Sequence, residues 1–429
     1  MAEKVTVQPK SGLRGEIWPP GDKSISHRSV MISAIAEGMT EIENFLPGQD
    51  CIATIRAFEN MGVTVEGAGT KSVRVHGVGL DGLKEPGDVL DMGNSGTSMR
   101  LISGILAGQP FYSVMTGDGS LRSRPMNRIA EPLRLMGARV YGRKGDLAPL
   151  TIVGGGLKPI HYQIPVASAQ IKSCILLAGL FADGETVVTE PAESRDHTER
   201  MLGSFGADVV SRDLSRRVKG RPRLAGHSVI VPGDISSASY FLVAAILCRD
   251  SEVVLRSVGL NPTRAGLLEA LEAMGGQVSL ENHREESGEP VADLHVRSSQ
   301  LKGRDFRGDL IVRMLDEIPL LAVAATQATG ETTIRDAAEL RVKETDRIAA
   351  TVSELRRLGA QIEELDDGMI IAGGGGLKGG ECTSHGDHRM AMSLAVAGLI
   401  SETGTTVHDV ACVNTSFPGF WDVLSSLYT

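Results

Sequence analysis

Cysteine is scarce and dispersed. Cys51, Cys174, Cys248, Cys382 and Cys412 form no C-x-x-C pair, so neither a zinc site nor a disulfide framework is indicated. Cys174 and Cys248 sit in apolar runs and read as buried filler. No apolar run is long enough to span a bilayer. The opening residues, MAEKVTVQPKSG, have no signal-peptide core, and a reducing cytoplasm is the simplest location. Positive charge is not in excess either: 44 Lys and Arg stand against 53 Asp and Glu, a net charge of −9. That argues against nucleic acid or a membrane surface as partner, since both reward a basic face. A G-x-x-x-x-G-K-[ST] loop, a Rossmann fingerprint and a Ser–His–Asp signature are all missing. The glycine clusters in TIVGGGLKP (151–159) and IIAGGGGLKG (370–379) therefore read as turns. His385 and His388 in HGDH have metal-like spacing but no third ligand, so no metal is expected.

What is present is a repeat. With 429 residues the chain is long for one core, and two or more domains are expected. A helix pattern rich in small and apolar residues recurs six times, each after a polar or charged turn. The copies start near His27, Thr97, Ala169, Ser236, Asp316 and Asp387. Each continues through a turn into β-branched residues, which reads as helix, turn, strand. A second helix follows and stops at Gly62, Gly137, Gly206, Gly275 or Gly359, a C-cap signal before a short β run. The sixth copy ends early, in FPGFWDVLSSLYT. The unit is thus about 70 residues of strand–helix–strand–helix–strand–strand. Small residues along each first helix suit close packing on most sides. Three copies per domain is the natural division. Pro20–Gly21–Asp22 reappears as Pro232–Gly233–Asp234. The domain crossings are placed there, as hinges near 20 and 232 for a cleft that closes on ligand. The expected domains are 20–231, and 1–19 with 232–429, the N-terminal stretch 1–19 being read as one strand that belongs with the second half.

Charged and polar side chains cluster at the helix starts. PPGDKSISHRSV puts Lys23, Ser24 and Arg28 where a loop becomes a helix, with Asp22, Ser24 and Ser26 as candidate caps. Free N–H groups and the positive dipole end favour an anion there, although an ordinary basic helix start has the same look. MGNSGTSMR adds Asn94, Gly96 and Arg100, LRSRPMNR adds Arg124, and the third copy adds Ser168, Ala169, Gln170 and Lys172, then Arg195. Lys343, Glu344 and Arg347 follow in RVKETDR, and Asp387, His388 and Arg389 in the sixth copy. So many cations in an acidic chain point to more than one phosphate or carboxylate ligand. Asp316, Glu344 and Asp387 do not help bind anions. Proton transfer and structural ion pairing are the two readings open for them.

PGDKSISHR, GNSGTSMR, RPM (124–126), SAQIKS, MLDEIP, RVKETDR and DHRMAMS occur in that order along essentially the whole chain. Together they resemble the 5-enolpyruvylshikimate-3-phosphate (EPSP) synthases, a family of enolpyruvyl transferases. The resemblance implies an α/β fold of two domains, each an inside-out α/β barrel of three βαβαββ repeats. It implies transfer of the enolpyruvyl group of phosphoenolpyruvate to the 5-hydroxyl of shikimate 3-phosphate, with release of phosphate through a tetrahedral intermediate. That is a step of chorismate and aromatic amino acid biosynthesis, run without a cofactor by a usually monomeric enzyme. By motif, Lys23, Ser24, Arg28, Ser168, Ala169, Gln170, Arg195, Asp316 and Lys343 would contact shikimate 3-phosphate. Lys23, Asn94, Gly96, Arg124, Gln170, Arg347 and Arg389 would serve phosphoenolpyruvate. Asp316 is the candidate base for the hydroxyl, and Glu344, with Lys23, the candidate for proton exchange at the methylene.

Some positions depart from the family's best-known pattern. Thr415 stands where some members have a lysine, Glu339 where many have Asn, and Leu101 where many have Pro. Gly96 is retained, so the inhibitor glyphosate is expected to bind and to compete with phosphoenolpyruvate. The nearest alternative is UDP-N-acetylglucosamine enolpyruvyl transferase, which shares fold and donor. It usually carries a Cys, sometimes an Asp, in a loop of the second copy, and here Pro110 to Arg128 has no Cys and only Asp118 as an acid. An alternative of another class is a non-catalytic sensor of phosphorylated metabolites, which would have no use for Asp316 and Glu344.

Overall fold

In a computed structural model that describes residues 4–428, the repeat is visible element by element. Residues 1–3 and 429, the ends of the expected C-terminal domain, lie outside the described range. The chain divides into two compact units. One comprises 21–231 together with 286–289. The other comprises 1–20, 232–285 and 290–429. Nothing in the sequence signalled the grouping of Glu286–Glu289 with the first of these.

The helices run in chain order as α1 (Lys23–Ala34), α2 (Gln49–Asn60), α3 (Gly96–Gly108), α4 (Asn127–Met136), α5 (Ala169–Gly179), α6 (His197–Ser204) and α7 (Ile235–Leu247). They continue as α8 (Gly266–Met274), α9 (Asp309–Arg313), α10 (Ile318–Thr326), α11 (Arg347–Arg357), α12 (His388–Leu399) and α13 (Phe420–Ser426). The six small-residue helices are α1, α3, α5, α7, α10 and α12. Each is buried over most of its length, α7 and α12 over nearly all of it. They form the interior of each unit and the sheets lie outside them, the inverse of an ordinary α/β barrel. Each unit has its own apolar core.

The second helices stop because glycine can take a left-handed backbone conformation without a Cβ penalty. Gly62, Gly137, Gly206, Gly275 and Gly359 have φ of +88°, +111°, +98°, +100° and +99°. At the other end, side-chain caps fix the starts of five of the six interior helices, all but α10. Asp22 accepts from the Ile25 N–H, Ser95 from Ser98, Ser168 from Ile171, Asp234 from Ser236 and Asp387 from Arg389. Of the three cap candidates in the opening motif, Asp22 is the cap, while Ser24 and Ser26 lie inside the helix.

Among the described residues, five of the six sheets follow one plan: two parallel strands, then an antiparallel hairpin. In the sheet of the second copy, Leu90–Asp91 runs parallel to Tyr112–Thr116, which pairs antiparallel with Leu147–Val153, which pairs with Arg139–Arg143. The third and fifth copies match it. The other copies borrow a strand. In the first, Ser228–Ile230 runs parallel to Glu37–Glu43. In the fourth, Arg14–Ile17 runs parallel to Glu252–Gly259. The sixth copy lacks its hairpin, and Lys4–Val7 pairs antiparallel with Thr405–His408 instead. The N-terminal stretch read as one strand is thus two strands in two sheets, because Pro9 to Gly12 breaks it.

Close packing of the interior helices depends on missing side chains. A Cβ on Gly104 of α3 would lie 2.2 Å from the carbonyl oxygen of Cys174 on α5. Backbone cannot yield as a side chain can, so Gly104→Ala is expected to cost about 1–3 kcal/mol. The loss reads as a lower urea midpoint with an unchanged slope.

Candidate active site

The unit holding 21–231 brings the interior-helix starts α1, α3 and α5 to carry most of the expected anion ligands. Lys23, at the first residue of α1, places Nζ 2.5 Å from Asp50 Oδ2 on α2. Arg28 lies one turn along and is buried. Its guanidinium donates to Thr198 Oγ1 at 2.7 Å, Ser173 Oγ at 3.0 Å and the Ser24 carbonyl at 2.9 Å. Those bonds hold the guanidinium against the mouth of α1.

At the start of α3, Arg124 Nη2 donates to Asn94 Oδ1 at 2.8 Å and to Ser120 Oγ at 3.1 Å. Asn94 in turn donates to Asp118 Oδ2 at 2.7 Å. Asp118 also accepts from the Leu121 N–H, so this acid serves as a brace for Asn94. Glycine at position 96 leaves room for two arginines: a Cβ there would lie 2.7 Å from Arg100 Nη1 and 3.3 Å from Arg124 Nη1. Gln170 at the start of α5 is pinned by α3, accepting from Arg100 Nη1 at 2.8 Å and donating to Thr97 Oγ1 at 3.0 Å. Ser168 caps α5, and Ala169 opens it. Lys172 is fully buried. Its Nζ lies 2.7 Å from Glu190 and 2.8 Å from Glu199, and it donates to the Ser194 carbonyl. It therefore anchors the segment that carries Arg195, which is partly exposed before α6.

The other unit holds the carboxylates. Arg347, at the first residue of α11, is 2% exposed and meets three of them. Nη1 lies 2.9 Å from Asp316, Nη2 2.7 Å from Glu344 and Nε 2.8 Å from Asp387. Burial alone would lower the pKa of this guanidinium, but Asp387, Glu344 and Asp316 raise it above its ordinary value. Arg389 on α12 is buried with Asp316 Oδ2 at 4.0 Å and Glu317 Oε1 at 3.8 Å. Tyr240 on α7 is buried, and that burial pushes its hydroxyl up to about 12. Lys343 and Glu344 sit partly exposed just before α11. The start of α7 is filled from within: Asp234 accepts from Arg264 at 3.1 Å, and Ser236 bonds both Arg264 and Glu317. The fourth copy thus satisfies its helix start with its own Asp234 and Arg264 and with Glu317 from the fifth copy.

The two histidines with metal-like spacing go to different carboxylates, His385 Nε2 to Glu354 at 2.9 Å and His388 Nδ1 to Asp387 at 3.9 Å. Among the described residues, Asp196, His197 and Glu289 place ligand atoms within 4.8 Å of one another. Arg200 Nε already lies 2.8 Å from Asp196, so that cluster has a cation of its own.

Residues 7–424 match the family model for EPSP synthase (3-phosphoshikimate 1-carboxyvinyltransferase). The chain belongs to the EPSP synthase family. It is 57% identical over 422 residues to the 3-phosphoshikimate 1-carboxyvinyltransferase of Desulforudis audaxviator, covering 98% of each chain. To that of Pelotomaculum thermopropionicum it is 58% identical over 418 residues, covering 97% of each. A solved EPSP synthase from Acinetobacter baumannii superposes with a TM-score of 0.89 at 48% identity, over 99% of this chain and 98% of that one.

Family motifs do not reveal how the charged groups are braced. Asp50 and Thr198 hold Lys23 and Arg28, yet each looks like an ordinary helix residue in sequence, and Ser173, which closes the SAQIKS motif, gives no sign there that it meets Arg28. The departures are also placed. Leu101 is fully buried core on α3, and Thr415 donates its hydroxyl to the Cys412 carbonyl at 2.8 Å. No helix among the described residues is long and apolar enough to cross a membrane.

Proposed function

We propose that this chain transfers the enolpyruvyl group of phosphoenolpyruvate to the 5-hydroxyl of shikimate 3-phosphate and releases phosphate. The reading is carried by membership of the EPSP synthase family across nearly the whole chain. A set of braced cations and a set of carboxylates held by one arginine give the chemistry its groups. Both substrates carry a phosphate and a carboxylate. Lys23, Ser24, Arg28, Ser168, Ala169, Gln170, Arg195 and Lys343 bind shikimate 3-phosphate. Asn94, Gly96, Arg124, Arg347 and Arg389 bind phosphoenolpyruvate, with Lys23 and Gln170 touching both.

The reaction needs two proton movements. Asp316 takes the proton of the attacking hydroxyl as its oxygen bonds to carbon 2 of phosphoenolpyruvate. Glu344, with Lys23, supplies a proton to the methylene carbon. The resulting tetrahedral intermediate loses phosphate as one methyl proton returns to the protein, which restores the double bond. Positioned groups of this kind are worth about 10²–10⁴ in rate each. The enzyme works as a monomer in the cytoplasm, and glyphosate occupies the phosphoenolpyruvate site.

Phosphate release from phosphoenolpyruvate tests the acceptor. Release is expected with shikimate 3-phosphate and not with UDP-N-acetylglucosamine, and glyphosate inhibition should weaken as phosphoenolpyruvate rises. Release with the nucleotide sugar alone would overturn the acceptor. Inhibition independent of phosphoenolpyruvate would overturn the shared site.

A further inference from the structure

A chain of buried hydroxyls ties the first two copies together. His27 on α1, Thr54 on α2, and Ser95 and Ser98 at the start of α3 are all at 0% exposure. His27 Nδ1 lies 2.7 Å from Thr54 Oγ1, and Thr54 Oγ1 lies 2.7 Å from Ser98 Oγ. Ser98 Oγ donates to Ser95 Oγ at 2.7 Å, and the Ser98 N–H donates to the same oxygen at 3.1 Å. The Asp50 carbonyl is 3.5 Å from both the Thr54 and Ser98 hydroxyls, too far to compete with bonds of 2.7 Å.

Donor counting gives the chain a direction. A hydroxyl has a single hydrogen to give. Ser98 gives its own to Ser95, so it accepts from Thr54. Thr54 then accepts from His27, which puts the ring proton on Nδ1. Nε2 is left as a lone pair, buried with no hydrogen-bond partner. A charged ring would leave an N–H there instead. Burial, then Lys23 and Arg28, hold the His27 pKa well below its ordinary value, in keeping with a neutral ring.

The chain ends on the cap of α3, in the turn that carries Asn94 and Gly96. Arg124 is bonded to that same turn through Asn94. The start of α1 has its own restraints in the Asp22 cap and the Lys23–Asp50 pair. The start of α3 draws on the relay. We propose that His27, Thr54 and Ser98 are positioning residues that fix the Asn94–Gly96 turn for phosphoenolpyruvate through the Ser95 cap. This rests on the reaction assigned above.

Thr54→Val keeps the shape of residue 54 and removes its hydroxyl, whereas Thr54→Ser keeps the hydroxyl. Ser98→Ala cuts the relay at its last link if the valine variant folds poorly. Hydrogen exchange on the unliganded full chain reads the relay without any substrate. Thr54→Val and Ser98→Ala should speed exchange of the first-turn amides of α3 by about tenfold, and Thr54→Ser should not. In turnover, the first two should raise KM for phosphoenolpyruvate by about tenfold and leave KM for shikimate 3-phosphate near its parent value. Unchanged exchange at α3 would overturn the relay. Faster exchange with an unchanged KM for phosphoenolpyruvate, or an equal rise in both KM values, would overturn the positioning role. A parent chain without turnover would fail the reaction reading, and the exchange arm would still decide the relay.

Discussion

Asp316→Asn is expected to lower kcat by about 10²–10⁴ while the protein stays folded. The amide oxygen still accepts from Arg347 Nη1, which now lies 2.9 Å from the carboxylate, so the local geometry survives. What is lost is the proton-accepting carboxylate that the proposed mechanism uses as its base. Arg347 keeps Glu344 and Asp387 as partners, so KM for phosphoenolpyruvate should change far less than kcat. Steady-state kinetics with both substrates varied separate the two. A variant that turned over normally would remove Asp316 as the base. If Glu344→Gln were equally silent, the sensor reading would gain ground over the enzyme.

Arg347→Leu should have a different signature. The side chain is the common counter-charge of Asp316, Glu344 and Asp387, and its own side chain is 2% exposed. Leucine fills part of the volume and leaves three acids facing one another. Removing one partner of a buried ion pair costs about 3–5 kcal/mol, a sizeable part of the ~5–15 kcal/mol that holds a typical protein folded. Arg389 is near Asp316 only at 4.0 Å and cannot take over the fork. Urea unfolding should show the loss as a lower midpoint, and phosphoenolpyruvate turnover should fall with it. Arg347→Lys should recover part of the stability, since the charge returns without the planar geometry that meets three carboxylates. A leucine variant as stable as the parent would mean that the acids are neutralised by other groups.

These two residues also mark the limit of sequence reading. The repeat was legible because its punctuation is local: glycine after a helix and a cap before one are features of a few adjacent residues. The charged helix starts were legible for the same reason. The convergence of Asp316, Glu344 and Asp387 on one guanidinium joins residues from separate copies, and no local pattern encodes it. Spacing alone left those acids open between proton transfer and ion pairing. The structure shows the pairing, and the chemistry proposed above uses the same groups. Asp50, Thr198 and the His27 relay were invisible because a buried Asp, Thr or His has no periodic signature. The N-terminal stretch was assigned as a single strand because its two short segments are separated by only a few residues, and the sheets they enter are completed by distant chain.

That last feature bears on how the protein is made. Lys4–Val7 waits for Thr405–His408, and the paired hydroxyls of Thr6 and Thr406 are 400 residues apart in the chain. During synthesis the first strands leave the ribosome with no partner, while the unit of residues 21–231 emerges as an almost unbroken stretch with its own core. Domains fold as units as they are synthesised, so the inner stretch can form first, and the outer unit is completed only once Thr405–His408 has emerged. An unpaired strand edge is a hazard throughout that interval. Lys4 and Lys10, near the two ends of the waiting segment, supply charge of the kind that discourages wrong pairing.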